Sequence, residues 1–422
     1  MNLDVLKAVI LDQHRVIEKA EIVGRSSVSL FDGVNYIITG LRRAGKSTLL
    51  YQKVQDLVAN GVSWNQIIYI NFEDERLDGF SFSDFNDILS VQAQLSDAEG
   101  YFFFDEIQNV EGWEKFARRM ADYKEKVCIT GSNAVMLSSQ MEKILGGRYI
   151  GRNVYPYSFC EYLDALSLAH DGNTVSATRG RALVLRAFED YLTYGGLPET
   201  VHMPEKRDYL STVLQKVLLN DIVARNGIRN VNALRLMVKK LADSLKDELS
   251  SSSMRNILSF VGLEMSRATI IDYMSYCIDA YLIFRIGNWR GHFSGKESAA
   301  KYYFTDNGIL SLFLVDRNAL LLENLVAVSL VRKYGLESVF YLKNARQRLD
   351  VDFYIPEEGL LVQVAYSLDR TSDDRETEQL VRASRIIKDA RRFLILTKEE
   401  EGSLEVSGIR IEVLPVWKWL LG

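Results

Sequence analysis

The feature that most constrains the fold of this chain is the segment Gly40–Ser47, which reads GLRRAGKS and matches GxxxxGK[ST] in full. A strand-like apolar run, YIIT, precedes it, and a helical pattern, STLLYQKVQDLV, follows it. The two glycines let the backbone wrap a phosphate group, so that consecutive N–H groups point at its oxygens. The N-terminus of the following helix adds its dipole. The segment therefore predicts a strand–loop–helix unit that binds phosphate.

The residues of this loop have distinct expected roles. We expect Lys46 to reach the β- and γ-phosphates of a nucleotide and Ser47 to offer its hydroxyl to Mg²⁺. For Arg42 and Arg43, phosphate contact and simple solvation are both open, and solvation is favoured. The predicted nucleotide-binding residues are Gly40, Leu41, Arg42, Arg43, Ala44, Gly45, Lys46, Ser47 and Thr48.

The surrounding pattern predicts an α/β domain. Apolar runs alternate with helical patterns over residues 34–160, namely VNYIIT, QIIYINF, YFFFDEI, KVCITGS and a weaker run at residues 149–155. Continuous apolar runs suit strands that are buried on both faces of a parallel sheet. Helices between such strands define the α/β class.

Two acidic residues end the run YFFFDE at residues 101–106. Ligands of open α/β sheets bind at the carboxyl edge of the strands, where these acids are expected. Asp105 is predicted to hold Mg²⁺, and Glu106 to orient and deprotonate an attacking water. The second acid favours hydrolysis over transfer of a phosphoryl group to another substrate. Glu73-Asp74-Glu75 also ends a strand-like run, and there a solvated loop is favoured over a third carboxylate near the metal.

Polar side chains after the next strand are candidates for sensing the γ-phosphate. Ser132 and, after it, Asn133 end the run VCITGSN, and a polar turn that caps the next helix is the alternative. Arg148, in the sequence GGR, is the candidate for stabilising transition-state charge, from its own chain or from a neighbouring subunit. An ordinary structural arginine is the alternative.

Composition narrows the class of protein. The net charge of −5 on 422 residues provides no protein-wide basic surface for nucleic acid, although one local face of the protein can still be basic. Only three cysteines occur, far apart in the chain, which fits a reducing compartment and gives no zinc-binding pattern. No apolar stretch approaches the length needed to span a bilayer, so a cytoplasmic location without membrane contact is expected.

These motifs together resemble a prokaryotic family of AAA-superfamily ATPases that carry a C-terminal domain of unknown function. The ATPase segments are GLRRAGKST, FFFDEIQNVEGWEKF, ITGSNAVMLSS, LGGRYIGR and YPYSFCEYL, and the later segments are YGGLPE, NDIVAR, YYFTDNGIL, LENLVAVSL and LDVDFYI. The resemblance covers nearly the entire chain. It implies binding of Mg-ATP and its hydrolysis, and the preference for ATP over GTP rests on it.

The pattern divides the chain into three expected domains: an AAA-type ATPase domain (1–156), a helical and winged-helix-like segment (157–294) and a C-terminal α/β domain (295–422). In the middle segment, Arg267, Thr269 and Asp272 begin the second helix of a helix–turn–helix pattern. Such a helix enters the major groove of DNA in many DNA-binding proteins. A packing or relay module for the ATPase is the alternative.

The C-terminal pattern is similar to PD-(D/E)xK nucleases, which use two acids and a lysine with Mg²⁺. Asp352 would be the first acid and Glu323 a helical acid, but Gln363 and Ala365 stand where the resemblance requires an acid and a lysine. We therefore expect a nuclease-like fold without nuclease activity. A basic stretch at helical spacing is expected to form a solvated helix face, with contact to nucleic-acid backbone as the alternative. Its members are Arg382, Arg385, Lys388, Arg391 and Arg392.

Two functional hypotheses follow. In the first, ATP hydrolysis drives a conformational switch that acts on a protein or DNA partner. In the second, the chain is an ATP-gated DNA-binding or regulatory module with little turnover. The sequence does not predict the oligomeric state.

Overall fold

The computed structural model of the chain describes residues 1–25, 27–289, 299–315, 318–368 and 370–422. These residues form two compact units. The first unit comprises Met1–Tyr155 together with the short segment Asp279–Tyr281, and the second comprises Pro156–Ile278 and Leu282–Gly422. The expected boundary between residues 294 and 295 lies outside the described residues.

The first unit is a parallel sheet with helices, as the apolar runs predict. Its helices are α1 (Leu3–Glu18), α2 (Lys46–Ala59), α3 (Phe85–Leu95), α4 (Trp113–Asp122) and α5 (Ser139–Leu145). Its strands are β1 (Tyr36–Thr39), β2 (Ile67–Asn71), β3 (Tyr101–Asp105), β4 (Lys126–Gly131) and β5 (Ile150–Asn153). Within the described residues the strands lie in the order β2-β3-β4-β1-β5, and every pairing is parallel.

Burial explains why these runs form strands. All residues of β1 are buried, whereas β5 at the edge of the sheet is mostly exposed, which accounts for its weaker apolar pattern. Phe102 and Phe104 of the run YFFFD pack into the core with α3 and α4, where the Phe85 and Phe116 rings stack at 4.3 Å. Because parallel strands end at one edge, the sheet brings the segments after β1, β3 and β4 together.

The second unit combines many helices with a mixed sheet. Its helices are α6 (Phe159–Ala165), α7 (Gly172–Ser176), α8 (Thr178–Tyr194), α9 (Lys206–Lys216), α10 (Val231–Asp243), α11 (Ser251–Phe260), α12 (Arg267–Asp279), α13 (Asn307–Ser311), α14 (Asn318–Tyr334), α15 (Arg370–Ile386) and α16 (Val416–Trp419). Its strands are β6 (Leu249–Ser250), β7 (Ile283–Asn288), β8 (Ala299–Phe304), β9 (Phe340–Asn344), β10 (Leu349–Ile355), β11 (Leu360–Val364), β12 (Arg392–Thr397), β13 (Gly402–Val406) and β14 (Ile409–Pro415). In the described part of the chain the sheet order is β13-β14-β12-β11-β10-β9-β7-β8-β6.

The helix–turn–helix pattern continues directly into this sheet. Helices α11 and α12 are followed by the antiparallel pair β7 and β8, and β6 pairs antiparallel with β8. Strand β7 also pairs in parallel with β9, so the helical segment and the C-terminal strands share one sheet.

Asp306 joins two segments of the second unit that are distant in sequence. Its buried carboxylate accepts hydrogen bonds from the amides of Gly196 (2.8 Å), Gly308 (2.8 Å) and Ile309 (3.2 Å). Burial raises the pKa of Asp306 to about 6, although these amides favour its charged form. The segments YGGLPE and TDNGIL therefore meet at a structural junction.

Among the residues that the structure describes, no helix combines the length and apolar character required to cross a bilayer.

Candidate functional site

The loop between β1 and α2 wraps tightly at the carboxyl edge of the first sheet. Gly40 has φ 150° and Gly45 has φ 95°, values that L side chains rarely adopt. A Cβ atom at Gly40 would lie 2.1 Å from the carbonyl oxygen of Val154. Arg43 also adopts a left-handed conformation, with φ 66°. The loop conformation therefore depends on both glycines of the motif.

Lys46, the first residue of α2, is directed into this loop. Its side chain is 4% exposed, and its Nζ donates to the carbonyl oxygens of Gly40 (3.2 Å) and Leu41 (3.3 Å). The same nitrogen lies 3.5 Å from Oε1 of Glu106. A buried ammonium group is thus held at the centre of the loop, where a phosphate would be bound.

Asp105 ends β3 and is surrounded by hydroxyl groups. Its carboxylate accepts hydrogen bonds from the hydroxyls of Tyr69 (Oδ2, 2.8 Å), Thr130 (Oδ1) and Ser47. Burial and the nearby Glu106 raise its pKa, although the hydroxyls favour its charged form. The Ser47 hydroxyl and the Asp105 carboxylate lie together, and such oxygen donors suit Mg²⁺.

Glu106 occupies a constrained position immediately after Asp105. Its φ of 52° lies in the left-handed region, which is uncommon for a residue other than glycine. Its amide donates to the Thr130 hydroxyl oxygen (3.0 Å), and its carboxylate accepts from Gln108 Nε2. One threonine hydroxyl therefore contacts both adjacent acids, as acceptor from Glu106 and as donor to Asp105.

The environment of Glu106 favours its charged form. Burial opposes ionisation, but Lys46, Gln108 and Arg42 outweigh that effect and lower the pKa of Glu106 below the usual glutamate value. A carboxylate that stays ionised can accept a proton, which general-base chemistry requires.

Ser132 and Asn133, the sensor candidates, are placed differently. The Ser132 hydroxyl is buried and makes no well-aligned hydrogen bond with a described residue, yet it lies close enough to Glu106 to lower the pKa of that carboxyl. The Asn133 side chain accepts from the amide of Val135 (2.9 Å) and caps a short helix at residues 134–137. Ser132 therefore lies beside Glu106, whereas Asn133 has the capping role that was the alternative.

Arg148 lies away from the loop of its own chain. Strand β5 begins at Ile150, which pairs with Tyr36 at the start of β1, so Arg148 precedes the strand at the opposite edge of the sheet. Its Nε donates to Oδ1 of Asp122 at 2.6 Å. In this structure Arg148 does not join Lys46, Asp105 and Glu106.

Arg42 and Glu73 form an ion pair at the rim of the site. Both terminal nitrogens of Arg42 donate to Oε1 of Glu73, at 3.1 and 3.2 Å. The structure thus joins two residues that were each expected to be solvated. Arg42 has further contacts as well.

Several residues of the site carry no signal in the sequence motifs. Tyr69 and Thr130 contact Asp105 from neighbouring strands, and Gln108 contacts Glu106. Arg25 is buried, and its guanidinium donates to the carbonyl oxygens of Ala44 (2.9 Å) and Tyr155 (2.5 Å). A polar residue within an apolar run, such as Thr130, is the signal that the sequence offers. It does not show which residue the polar side chain contacts.

Thr39, the last residue of β1, anchors the start of the loop. Its hydroxyl donates to Oδ1 of Asn153 (2.8 Å) and lies 2.6 Å from the hydroxyl of Tyr281. Tyr281 belongs to the segment Asp279–Tyr281 of the first unit. Burial raises the pKa of Tyr281 well above the usual tyrosine value and so favours its neutral hydroxyl.

Comparison with known proteins finds similarity over the full length of the chain. Residues 34–163 match the family described as AAA domain, and residues 185–319 match a domain of unknown function. An uncharacterized protein of Methanocaldococcus jannaschii is 31% identical, covering 98% of this chain and 94% of its own length. An uncharacterized protein of Haemophilus influenzae is also 31% identical, over 91% of this chain and 94% of its own length.

Solved structures show weaker similarity. The Walker-type ATPase of Pyrococcus abyssi aligns with a TM-score of 0.35 and 15% identity, covering 67% of this chain and 91% of its own. The Orc1 protein of Aeropyrum pernix, solved in complex with DNA, aligns with a TM-score of 0.29 and 15% identity over 77% of this chain and 93% of its own.

Proposed function

Because this chain belongs to the family of its archaeal and bacterial full-length relatives, and its residues 34–163 match an AAA domain, we propose that it binds Mg-ATP and hydrolyses it to ADP and phosphate. One observation carries the proposal. The buried Lys46 ammonium lies 3.5 Å from a Glu106 carboxylate whose neighbours keep it charged, beside the Asp105–Ser47 pair. A phosphate-binding loop and a base for water are thus combined in one site.

The loop supplies nucleotide binding. Its backbone amides and the N-terminus of α2 attract the phosphates, and Lys46 adds a full positive charge. Ser47 and Asp105 would hold Mg²⁺, which would supply charge neutralisation at the phosphate oxygens. Tyr69 and Thr130 fix the Asp105 carboxylate in position through the hydrogen bonds described above.

Glu106 supplies the base for hydrolysis. It accepts a proton from the attacking water, and its hydrogen bond from Gln108 orients the carboxylate. The buried Ser132 hydroxyl is placed to orient the same water. We assign Arg148 to the site of a neighbouring copy of the chain, since its position before β5 keeps it from its own.

The second unit is proposed to pass the nucleotide state to a protein partner. At the start of α12, the Arg267 guanidinium donates to Ser251 Oγ (2.8 Å) and the amide of Thr269 donates to the capping Ser266. Contact with DNA phosphates requires several basic side chains on one surface, and these two hydrogen bonds do not provide them. Exposed apolar side chains occur instead, with Phe260 92%, Val261 55% and Ile271 49% exposed. Exposed apolar side chains of this kind suit a protein partner better than DNA.

The basic stretch of the C-terminal region also differs from the expected single helix face. Helix α15 ends at Ile386, so Lys388 and Arg391 lie beyond it and Arg392 begins β12. Arg382 donates to the carbonyl oxygens of Gln347 (3.2 Å) and Arg348 (3.0 Å). The prediction that the five basic residues share one face of a helix was wrong, because the helix ends before Lys388. We also propose that the chain divides into domains after residues 156 and 294. The C-terminal region is proposed to lack nuclease activity.

The test is the rate of ADP formation from Mg-ATP, measured alone and with duplex or single-stranded DNA at two salt concentrations. We expect a basal rate that DNA does not change. No ADP formation under any of these conditions would contradict the ATPase proposal. A several-fold acceleration by DNA that weakens with salt would support ATP hydrolysis but replace the protein partner with DNA.

A further inference from the structure

A second cluster of charged side chains is buried in the second unit, apart from the proposed nucleotide site. Lys301 on β8 is 2% exposed, Glu323 on α14 is 0% exposed and Asp352 on β10 is 17% exposed. The last two are the acids that the nuclease-like pattern singles out. Burying charged groups is costly unless they are paired, so the cluster needs a physical account.

Lys301 lies between the two acids. Its Nζ is 3.4 Å from Oδ1 of Asp352 and 3.8 Å from Oε1 of Glu323. Burial opposes the charged lysine, but Glu323 and Asp352 outweigh it and raise the pKa of Lys301. The group therefore remains an ammonium ion. The resemblance expects a lysine at position 365, whereas this one comes from a different strand.

The remaining contacts fix the acids around that ammonium ion. Glu323 accepts from the Tyr303 hydroxyl at 2.9 Å, and Oδ2 of Asp352 accepts from the amide of Val364 at 3.0 Å. The second oxygen of Glu323 is buried without a hydrogen bond to any described residue, 3.4 Å from the nitrogen of the more exposed Lys246. That oxygen is paired with the Lys246 ammonium group, and its lack of a hydrogen bond leaves it able to act as a further ligand.

Gln363 extends the cluster to a third acid. Its side-chain oxygen accepts from the amide of Asp352 (2.7 Å), and its nitrogen donates to Glu376. Burial and the nearby Asp352 raise the pKa of Glu376. A carboxylate at position 363 would place a fourth acid beside Glu323, Asp352 and Glu376, and burial already raises the pKa of Glu323 to about 7. The neutral amide of Gln363 adds no charge to this cluster, whose buried cation is Lys301.

We propose that Lys301 is the resident cation of this cluster, occupying with its ammonium group the place of a divalent metal ion between Glu323 and Asp352. Wild-type protein then binds no divalent cation here, and removal of the ammonium group opens a divalent-cation site made of carboxylate oxygens. This inference does not depend on ATP hydrolysis at the first unit.

The test compares full-length wild type with Lys301→Gln, the double variant Lys301→Gln/Asp352→Asn, and Lys206→Gln as the matched lysine control, since Lys206 pairs with Asp190 and not with the cluster. Tb³⁺ is titrated and its emission is followed under tyrosine excitation, with Tyr303 beside the cluster as the donor. Thermal unfolding is recorded in EDTA and in Mn²⁺. Ion binding at the nucleotide site is common to all four proteins, so only differences between them count.

We expect Lys301→Gln to gain one saturable Tb³⁺ site that wild type, Lys206→Gln and the double variant lack. Its melting temperature should fall in EDTA and recover by several degrees in Mn²⁺. A variant that is unfolded in EDTA and folds when Mn²⁺ is added would support the proposal in the same way. Lys301→Gln that gains no ion binding, or stays unfolded in Mn²⁺, would overturn it. So would saturable Tb³⁺ binding by wild type at a site that the double variant lacks, since a metal ion would then reside beside Lys301.

Discussion

The ammonium nitrogen of Lys46 lies 3.5 Å from Oε1 of Glu106, so the lysine proposed to bind phosphate and the proposed base form a buried ion pair. Lys46 is 4% exposed and the Glu106 side chain 10% exposed, so solvent screens this pair little. Because Lys46 lowers the pKa of Glu106, the charge state of Glu106 depends on a residue of the Gly40–Ser47 loop. A change at Lys46 is therefore expected to affect turnover as well as nucleotide binding.

The hydrogen bond from Gln108 to Glu106 predicts a shift in the pH dependence of turnover. This bond favours the charged carboxylate, so Gln108→Leu should raise the pKa of Glu106. A base is active when deprotonated, so the acid limb of the pH–kcat profile should move to higher pH. Gln92→Leu, which removes a side chain bonded to the Ala98 carbonyl outside the site, is the control. An unshifted acid limb would mean that Glu106 does not govern the reaction.

Loss of the Lys46 ammonium should abolish tight nucleotide binding. Hydrogen bonds to charged groups contribute about 1.5–3 kcal/mol, which corresponds to roughly a 10- to 150-fold loss of affinity in Lys46→Ala. Thermal stabilisation by Mg-ATP is the measurement. Lys53→Ala is the matched control, because Lys53 is on the same helix but bonds the Leu30 carbonyl. Equal stabilisation of the two variants by Mg-ATP would show that the loop does not bind phosphate.

The junction at Asp306 predicts that Gly195 cannot be replaced by a larger residue without loss of stability. Gly195 has φ 73°, and a Cβ atom there would lie 2.3 Å from Oδ1 of Asp306. Gly195→Ala should destabilise the second unit by about 2 kcal/mol or more, through strain and displacement of a buried carboxylate. Gly172→Ala is the control, since no heavy atom lies within 4 Å of the position that its new methyl group would take. Urea denaturation compares the two, and equal stability would contradict this account of the junction.

The assignment of Arg148 to a neighbouring chain predicts complementation. Arg148→Ala should bind ATP as wild type does, because the residue lies at the opposite edge of its own sheet, and it should turn over more slowly. Mixing it with Glu106→Gln should restore part of the activity, since one interface then carries both Arg148 and Glu106. If Arg148→Ala turns over at the wild-type rate, the residue only pairs with Asp122.

Much of the first unit can be predicted from the sequence because each strand and the loop are encoded by neighbouring residues. The strands of YIIT and YFFFD are continuous apolar runs, and the loop before Lys46 contains its own glycines. Asp105, Glu106 and Ser132 follow strands of one parallel sheet, so position along the chain implies proximity. The edge strand β13 of the second unit has no such signal, because its residues are mostly exposed and lack an apolar run.

Contacts between distant segments are not predictable in this way. Tyr69 and Thr130 reach Asp105 from other strands, and Lys301 reaches Asp352 across 51 residues. The Arg148 candidate fails within its own chain for a related reason. Its Gly-Gly-Arg sequence gives no indication that the next strand starts at the opposite edge of the sheet.

The most direct test of the central claim is phosphate release from Mg-ATP by wild type and by Glu106→Gln, with ATP binding measured on the same samples. Glutamine keeps the size of the side chain but cannot accept the proton of the attacking water. The account predicts that the variant binds ATP and releases phosphate at least about 100-fold more slowly, the contribution typical of a general base. Phosphate release at the wild-type rate by Glu106→Gln would contradict the account.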